Sequence, residues 1–592
     1  MTEQIAQGEY TVLAAFDARD DLKVYGDNAL LLYTLALKHE IDDIQSVADR
    51  ALTDGPEDKK CDLVYVDVEF GVAVIAQGYF AQKPKAAAKT QKAQDLNTAV
   101  TWLLTRSLSD LPDSLRPAAG ELRDAIEQGK INKLEIWYSH NLPESLNVKS
   151  ELSSVVQTAS NALLVKFPGK SVNVEAQEIG LDTLEELYKR LQSSILVTDS
   201  FEISVPGGYI QNTEKWEAYN TSIPVSWLYN IYKEHEEKLF SANIRGYLGS
   251  RQSDANINNG IKKSAKERPE NFWAFNNGVT ALVHRFEVVE SKKKLTLEIE
   301  GLSIVNGAQT TGAIGSLSEE PAASAYVPAR FIKCSDSDLI EEIIRFNNSQ
   351  NKIEAADFRS TDDVQKRLRN EFEAYREIEY SGGRRGGAED IIRRRPTLIS
   401  SYTVAQALTA FHGNAVLAYN GKSEIWKSDA AYSRVFNDGT HADHVLFVYS
   451  LLDSITGIKT DLMSREKEGE NLAEADKAKL LFLRTRGANY LLVTAVSKCL
   501  ETILDTSVAN KFDLRFVTAV RFDQYKTTWQ PVLKSCMAFH SQLKKPLANS
   551  LRSNEEVNEA IELLRSLIES VRNPNAELYD SFSDKVISTP RV

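Results

Sequence analysis

Four stretches between Phe240 and Gly387 concentrate side-chain amides: NIRGYLG (243–249), ENFWAFNNGVTAL (270–282), IVNGAQTTGAI (304–314) and FNNSQNKIEAADFRSTD (346–362). Asn and Gln carry donors and acceptors without charge, which suits the edges of bases, ribose or amide groups. In Val305-Asn306-Gly307-Ala308-Gln309, Gly307 can take a backbone shape that other residues resist. Thr310 and Thr311 then fall near the start of a helix, where free N–H groups attract an anion. The ligand-binding candidates are therefore Asn276, Asn277, Asn306, Gly307, Gln309, Thr310, Asn347, Asn348, Gln350 and Asn351. The competing reading is architectural. Asn caps helices and fills tight turns, and Phe272, Trp273 and Phe275 beside it would pack a core.

Positive charge gathers in SGGRRGGAEDIIRRR (381–395), where glycines on both sides of Arg384 and Arg385 would let a loop close over phosphate. The planar fork of arginine suits that contact. Arg384, Arg385, Arg393, Arg394 and Arg395, with Arg245 and Arg359, are the nucleic-acid or phosphate candidates. The alternative is pairing with the acids that are in surplus. His441-Ala-Asp-His444 has metal-ligand residue types, but a solvated helix start fits it better. Neither a G-x-S-x-G elbow nor a phosphate-binding GKS/GKT loop is present, so serine hydrolases and Walker ATPases find no support.

The elements that must position these residues follow from hydrophobic periodicity. Apolar residues from Asp27 to Ala51 recur at helical spacing. CDLVYVD and VAVIAQGYF read as two strands joined by a short turn. A Lys/Ala linker, a helix from about Ala93 to Ser107, a helix at 115–128, the strand KLEIWYSH, a helix near 152–164 and the strand SVNVEAQEI complete an α/β unit over residues 1–195. A second unit, 196–400, holds FEISVPGGYI, a helix near 225–239, and the strands KLTLEIEGLSIV and AYVPARFIKC on either side of the helical GAQTTGAIGSL. The polar run SDSD then starts a helix at 339–346. From Tyr402 onward the chain, 401–592, reads as mainly helical.

The four amide-rich motifs, in this order, resemble the AIPR (abortive infection phage resistance) family. That resemblance implies a cytoplasmic bacterial defence protein that acts on or senses nucleic acid. The strand–turn–helix around Asn306-Gly307-Ala308-Gln309, with VPARFI as second strand and Asn347, Asn348, Gln350 and Asn351 after it, resembles the ParB/sulfiredoxin-like fold and its DGQHR relatives. It implies a nucleotide pocket for ATP or CTP. The basic residue that follows the turn in those relatives is missing here, so phosphate contact would fall to Arg330, Arg345, Arg359 or Arg384 and Arg385. The helix–hairpin–helix–strand order of 1–195 resembles the PD-(D/E)xK nuclease fold. That implies Mg²⁺ held by Asp62 and Gln77, with Asp58, Glu40 and Lys83 as further catalytic candidates. Tyr79 stands where the resemblance places lysine, which puts cleavage in doubt.

Composition bounds these readings. The 592 residues are too many for one core. Seventy basic against 83 acidic side chains, a formal charge of −13, exclude a general attraction to nucleic acid, so any such site must be a local patch. Cys61, Cys334, Cys499 and Cys536 lack metal spacing and read as reduced thiols. No run is long enough to span a bilayer, and the first residues do not read as a signal peptide. The expected fold is a nuclease-like α/β domain, a ParB-like α+β domain and a mainly α-helical C-terminal region. The expected partners are DNA or RNA, a second defence-system subunit and a second copy of the chain. A non-catalytic sensor or scaffold that recruits a separate effector is the alternative to a metal-dependent nuclease.

Overall fold

The computed structural model describes residues 10–53, 58–112, 114–242, 255–291, 294–348, 359–360, 362–375, 378–382, 388–393, 397–518, 520–548 and 550–590. The N-terminal part runs α1 (Thr11–Asp17), α2 (Ala29–His39), α3 (Ile44–Ala51), β1 (Leu63–Asp67), β2 (Val72–Tyr79), α4 (Thr90–Thr105), α5 (Arg116–Glu127), β3 (Lys133–His140), α6 (Leu146–Lys166), β4 (Asn173–Ile179) and α7 (Leu181–Gln192). The strands form one sheet in chain order: β1 is antiparallel to β2, and β2, β3 and β4 are parallel. Parallel neighbours need crossover connections, which α4 with α5 and then α6 supply. Both faces are covered, so β2 reads as an almost unbroken apolar run. Its Ala73 and Ile75 pack beneath α4, α5 and α6, while Val72, Val74 and Ala76 pack beneath α2, α3 and α7.

The helix expected over 27–51 is two helices. Glu40 closes α2 in the left-handed region, at φ 50, and Asp42-Asp43 separates it from α3. The hydrophobic period continued through this break, which hid it.

The central part is built on β5 (Val197–Val205), β6 (Gly208–Asn212), β7 (Trp216–Pro224), α8 (Val225–His235), β8 (Val279–Val283), β9 (Arg285–Ser291), β10 (Lys294–Asn306) and β11 (Tyr326–Cys334). Sheet order is β5-β10-β8-β11-β7-β6, and β9 also pairs with β10. The 13-residue β10 pairs with β5, β9 and β8, and its register with β5 breaks at Gly301. A Cβ at Gly301 (φ 71) would lie 2.2 Å from the His284 ring, so only glycine fits. One sheet face packs on α8 and on the helices Ala255–Glu267 and Ala308–Gly315. The other packs on the helix Ser337–Asn348. The sequence reading found β10, the helix after it and β11, and missed β7, β8 and β9.

The rest is mainly helical. Ala442–Lys467 and Ala488–Leu504 pass through its core, with Ser401–Phe411 and Phe522–Ala538 against them. Leu368, Phe372, Ile378 and Tyr380 share this core, whereas Ile391 and Ile392 pack into the N-terminal one. No helix among the described residues is long and apolar enough to cross a membrane.

The N-terminal part and the helical region meet through buried charge. Arg486, 4% exposed, donates from Nη2 to the carbonyls of Ala51 (3.3 Å) and Val64 (3.2 Å), and from Nη1 to Glu121 (3.1 Å). Glu121 also pairs with Arg50, whose Nη1 reaches the Tyr419 carbonyl at 3.1 Å. Asp49 receives Lys459 Nζ at 2.6 Å and Asn489 Nδ2 at 2.5 Å, and Thr403 donates to Asp43. Removing one member of such a network strands its buried partners. We expect Arg486→Met to lower the unfolding free energy by about 3 kcal/mol, seen as a fall in the urea midpoint. An unmoved midpoint would mean that the junction adds no stability.

Candidate functional site

The C-terminal end of β2 gathers the first set of reactive groups. Asp62, just ahead of β1, accepts the Gly78 N–H on Oδ2 at 2.7 Å. Gln77 is 4% exposed, and its Oε1 has no hydrogen-bond partner. A buried amide oxygen left unsatisfied costs about 1–3 kcal/mol, a penalty that an incoming cation or donor would remove. Tyr79 follows on the strand. Its hydroxyl accepts Lys85 Nζ at 2.9 Å, and the Lys85 and Lys92 ammoniums lie 5.5 and 5.4 Å from its ring centroid. The hydrogen bond from Lys85, with the nearby charges of Lys85, Lys89 and Lys92, draws the phenol below its usual range. Lys92, in the first turn of α4, also donates to the Gly78 carbonyl at 3.1 Å.

Three expected members stand elsewhere. Lys83 is exposed, and the charge at Tyr79 comes instead from Lys85, Lys89 and Lys92. The sequence offered a clue to Lys92, since a helix starting near residue 90 returns its first turn to the strand it has just left. Asp58 is spent on a turn, where Oδ1 accepts the Lys60 N–H at 2.9 Å while Lys59 and Lys60 adopt positive φ. Glu40 is at the wrong end of α2. Leu31, near the helix start, approaches Gly78, whereas Glu40 lies nine residues on, about 13 Å along the axis. There it lines a cavity of about 490 Å³ between the N-terminal part and the helical region, with Asp67, Tyr402, Tyr419 and Lys422.

No group of three or more His, Cys, Asp or Glu among the described residues is placed to hold a metal ion. Asp62 and Gln77 are the oxygen donors left for Mg²⁺. They fit in the limited sense that Mg²⁺ keeps several waters and is often bound through one or two carboxylates plus substrate phosphates.

The amide constellation assembles in two knots. Asn276 and Thr310 exchange hydrogen bonds at 3.1 and 3.2 Å, and Asn276 Oδ1 also accepts the Gly278 N–H at 3.1 Å. Asn306 donates to the Asn347 carbonyl at 3.0 Å. Asn347 in turn donates to the Ile343 carbonyl at 2.8 Å and accepts Arg330 Nη2 at 2.7 Å. Gly307 (φ 90) lets β10 turn into the next helix, since a Cβ there would meet the Gly278 carbonyl oxygen at 2.8 Å. Thr311 is buried and returns its hydroxyl to the Gly307 carbonyl at 3.0 Å. Much of this amide chemistry therefore ties β8, β10, β11 and the helix Ser337–Asn348 together. Neither the cavity of about 490 Å³ nor a smaller one of about 60 Å³ touches Asn306 or Asn347.

Asn277 is exposed and Gln309 half-buried. The Asn348 side chain, and Gln350, Asn351, Arg245, Arg384, Arg385, Arg394 and Arg395, lie outside the described residues. Arg393 ends the short helix Ala388–Arg393 with an exposed side chain. Arg359 is committed to the helical region rather than to phosphate. It pairs with Asp429, donates to the Trp426 carbonyl at 3.2 Å and lies over the Tyr432 ring at 4.5 Å. Of the two histidines read as metal-ligand types, His441 bonds Glu371 and His444 is fully buried. His444 Nδ1 bonds the Leu514 carbonyl at 2.9 Å, and its Nε2 lies 3.2 Å from His412 Nε2.

A family model described as AIPR protein matches residues 240–573. No curated protein and no solved structure matches the chain.

Burial, then the neighbouring His444 and Lys511, hold His412 well below the usual imidazole value of 6.5. The unfolded chain therefore takes up a proton near pH 6.5 that the folded chain refuses, so stability is full above that pH and declines as pH falls below it. We expect the melting temperature to drop between about pH 6.5 and 5, and the drop to shrink in His412→Phe. A slope identical in both proteins would assign it to other groups.

Proposed function

This chain belongs to the AIPR family, and from that premise we propose an abortive-infection defence protein that grips nucleic acid at the lysine-rich end of its N-terminal sheet. One observation carries the reading: Lys85, Lys89 and Lys92 crowd Tyr79 next to Asp62 and the unsatisfied Gln77 oxygen. In a chain of net charge −13 a phosphate backbone is attracted only where bases collect locally. Six lysines (Lys59, Lys60, Lys83, Lys85, Lys89 and Lys92) fall within one stretch of sequence around this strand end.

Asp62 and Gln77 would hold Mg²⁺ against a bound phosphate, and the bound ion would polarise the phosphoryl group and lower the pKa of an attacking water. Lys92, already at the strand end, is the group best placed to steady phosphate charge. Its position compensates for Tyr79 where the nuclease pattern has lysine.

A second reading, binding without cleavage and recruitment of a separate effector, is favoured by the Asp62 carboxylate being partly spent on the Gly78 N–H. The family match begins at residue 240, beyond this sheet, so it supports the defence role and not the chemistry.

The test is titration of labelled DNA and RNA with the full chain, with and without Mg²⁺ or Mn²⁺. Lys85→Gln with Lys89→Gln is expected to weaken binding about tenfold and to reduce the salt slope by about 2. Affinity unaffected by that pair would defeat the proposal. Cleavage abolished by Asp62→Ala would select the nuclease, and binding with no cleavage under either metal would select the sensor.

A further inference from the structure

Register carries one line of side chains across five strands of the central sheet. Asn306 on β10 stands against Thr280 on β8, and Thr280 against Arg330 on β11. Arg330 stands against Asn220 on β7, and Asn220 against Tyr209 on the edge strand β6. Directly opposed residues project from the same face, so this is one polar line spanning roughly 19 Å, four strand spacings. Two residues along the same strands, Leu282, Ile332 and Ala218 are covered by the helix Ser337–Asn348. That helix gives out at the line, where Asn347 meets both Arg330 and Asn306.

Arg330 is exposed and yet held in place. Its Nη2 donates to Thr280 Oγ1 at 3.2 Å and to Asn347 Oδ1 at 2.7 Å. Among the described residues it has no carboxylate partner, although acids outnumber bases 83 to 70 in this chain. A guanidinium fixed by neutral groups keeps its charge available for an anion.

Exposed aromatic rings flank it. Tyr209, 64% exposed, lies two strands away on the same line. Trp273, 51% exposed, is tethered by its Nε1 to Ser222 Oγ at 2.8 Å, one row further on. Phe346, 63% exposed, precedes Asn347 on the last helical turn. Aromatic area left in water beside a rigid cation is what stacking of unpaired bases requires, because a duplex hides its base faces and a single strand presents them. The spacing also suits a strand: Tyr209 lies two strand spacings, about 10 Å, from Arg330, and the Ser222 that tethers Trp273 lies one strand over and one row along from it.

We propose that this face of the central sheet binds single-stranded nucleic acid. Tyr209 and Trp273 stack bases, Arg330 takes phosphate, and Asn220 and Asn306 meet base or sugar edges. The site is separate from the strand end of the N-terminal sheet and stands whether or not that site binds.

The experiment uses the full chain carrying Lys85→Gln and Lys89→Gln, so that the strand-end site is weakened throughout. Fluorescence anisotropy with a labelled oligothymidylate of about 12 nucleotides, within the usual range of single-strand sites, reads the Kd. Tyr209→Ala and Arg330→Gln, both at exposed side chains, are each expected to raise the Kd about tenfold. Arg330→Gln should also reduce the salt slope by about 1. An unchanged Kd in either variant, no binding by the parent chain, or equal affinity for a duplex of the same length would overturn the assignment.

Discussion

A buried guanidinium, at the centre of a network of polar contacts, ties the N-terminal sheet to the helices that follow some 400 residues later. Arg486 is almost without solvent, and its acceptors are main-chain oxygens at the end of α3 and inside β1, plus Glu121 on α5. A charge in that position is tolerable only if its acceptors stay put. It therefore fixes α3, β1 and α5 relative to one another and to the helical core at once. Asp62 sits one residue before β1, so its placement at the strand end follows from this contact. Apolar packing alone would let the two bodies slide, since dispersion has no direction, whereas a forked donor accepts few orientations.

What the sequence made legible follows from how strongly each feature depends on local pattern. The β1–β2 hairpin, α4, α5, β3 and β4 were readable because buried parallel strands and amphipathic helices carry their own period. The turn at Gly307 was readable because a left-handed position needs glycine. β8 went unread inside a polar, amide-rich segment whose period is masked, and β9 because its exposed, charged residues alternate weakly.

The candidate sites divided in the same way. Asp62 and Gln77 were reachable from their places on the hairpin. Glu40 lies apart from them because a helix of 11 residues sets its two ends roughly 16 Å from each other. Arg359 looked available, and the Asp429 that neutralises it is 70 residues away in sequence. The line from Tyr209 to Asn306 was invisible for a more basic reason: it exists only through the register of five strands, three of which neighbour strands distant in sequence.

The two candidate surfaces divide a problem that an acidic protein sets for itself. Repulsion from a polyanion must be overcome locally, either by massing charge or by lowering dependence on it. The strand-end site proposed above would do the first, with lysines drawn around Tyr79 beside Asp62. The face proposed on the central sheet would do the second, with one braced arginine and neutral amides and rings that would attract bases regardless of net charge. That second surface also crosses a boundary in the chain. Thr280, Arg330 and Asn306 lie within the span 240–573 that defines the family match, whereas Tyr209 and Asn220 come from β6 and β7 ahead of it. The strand pairing of β11 with β7 therefore completes a face that the matched segment alone would leave without its outer ring. A unit that carries the whole of the proposed face has to include those preceding strands.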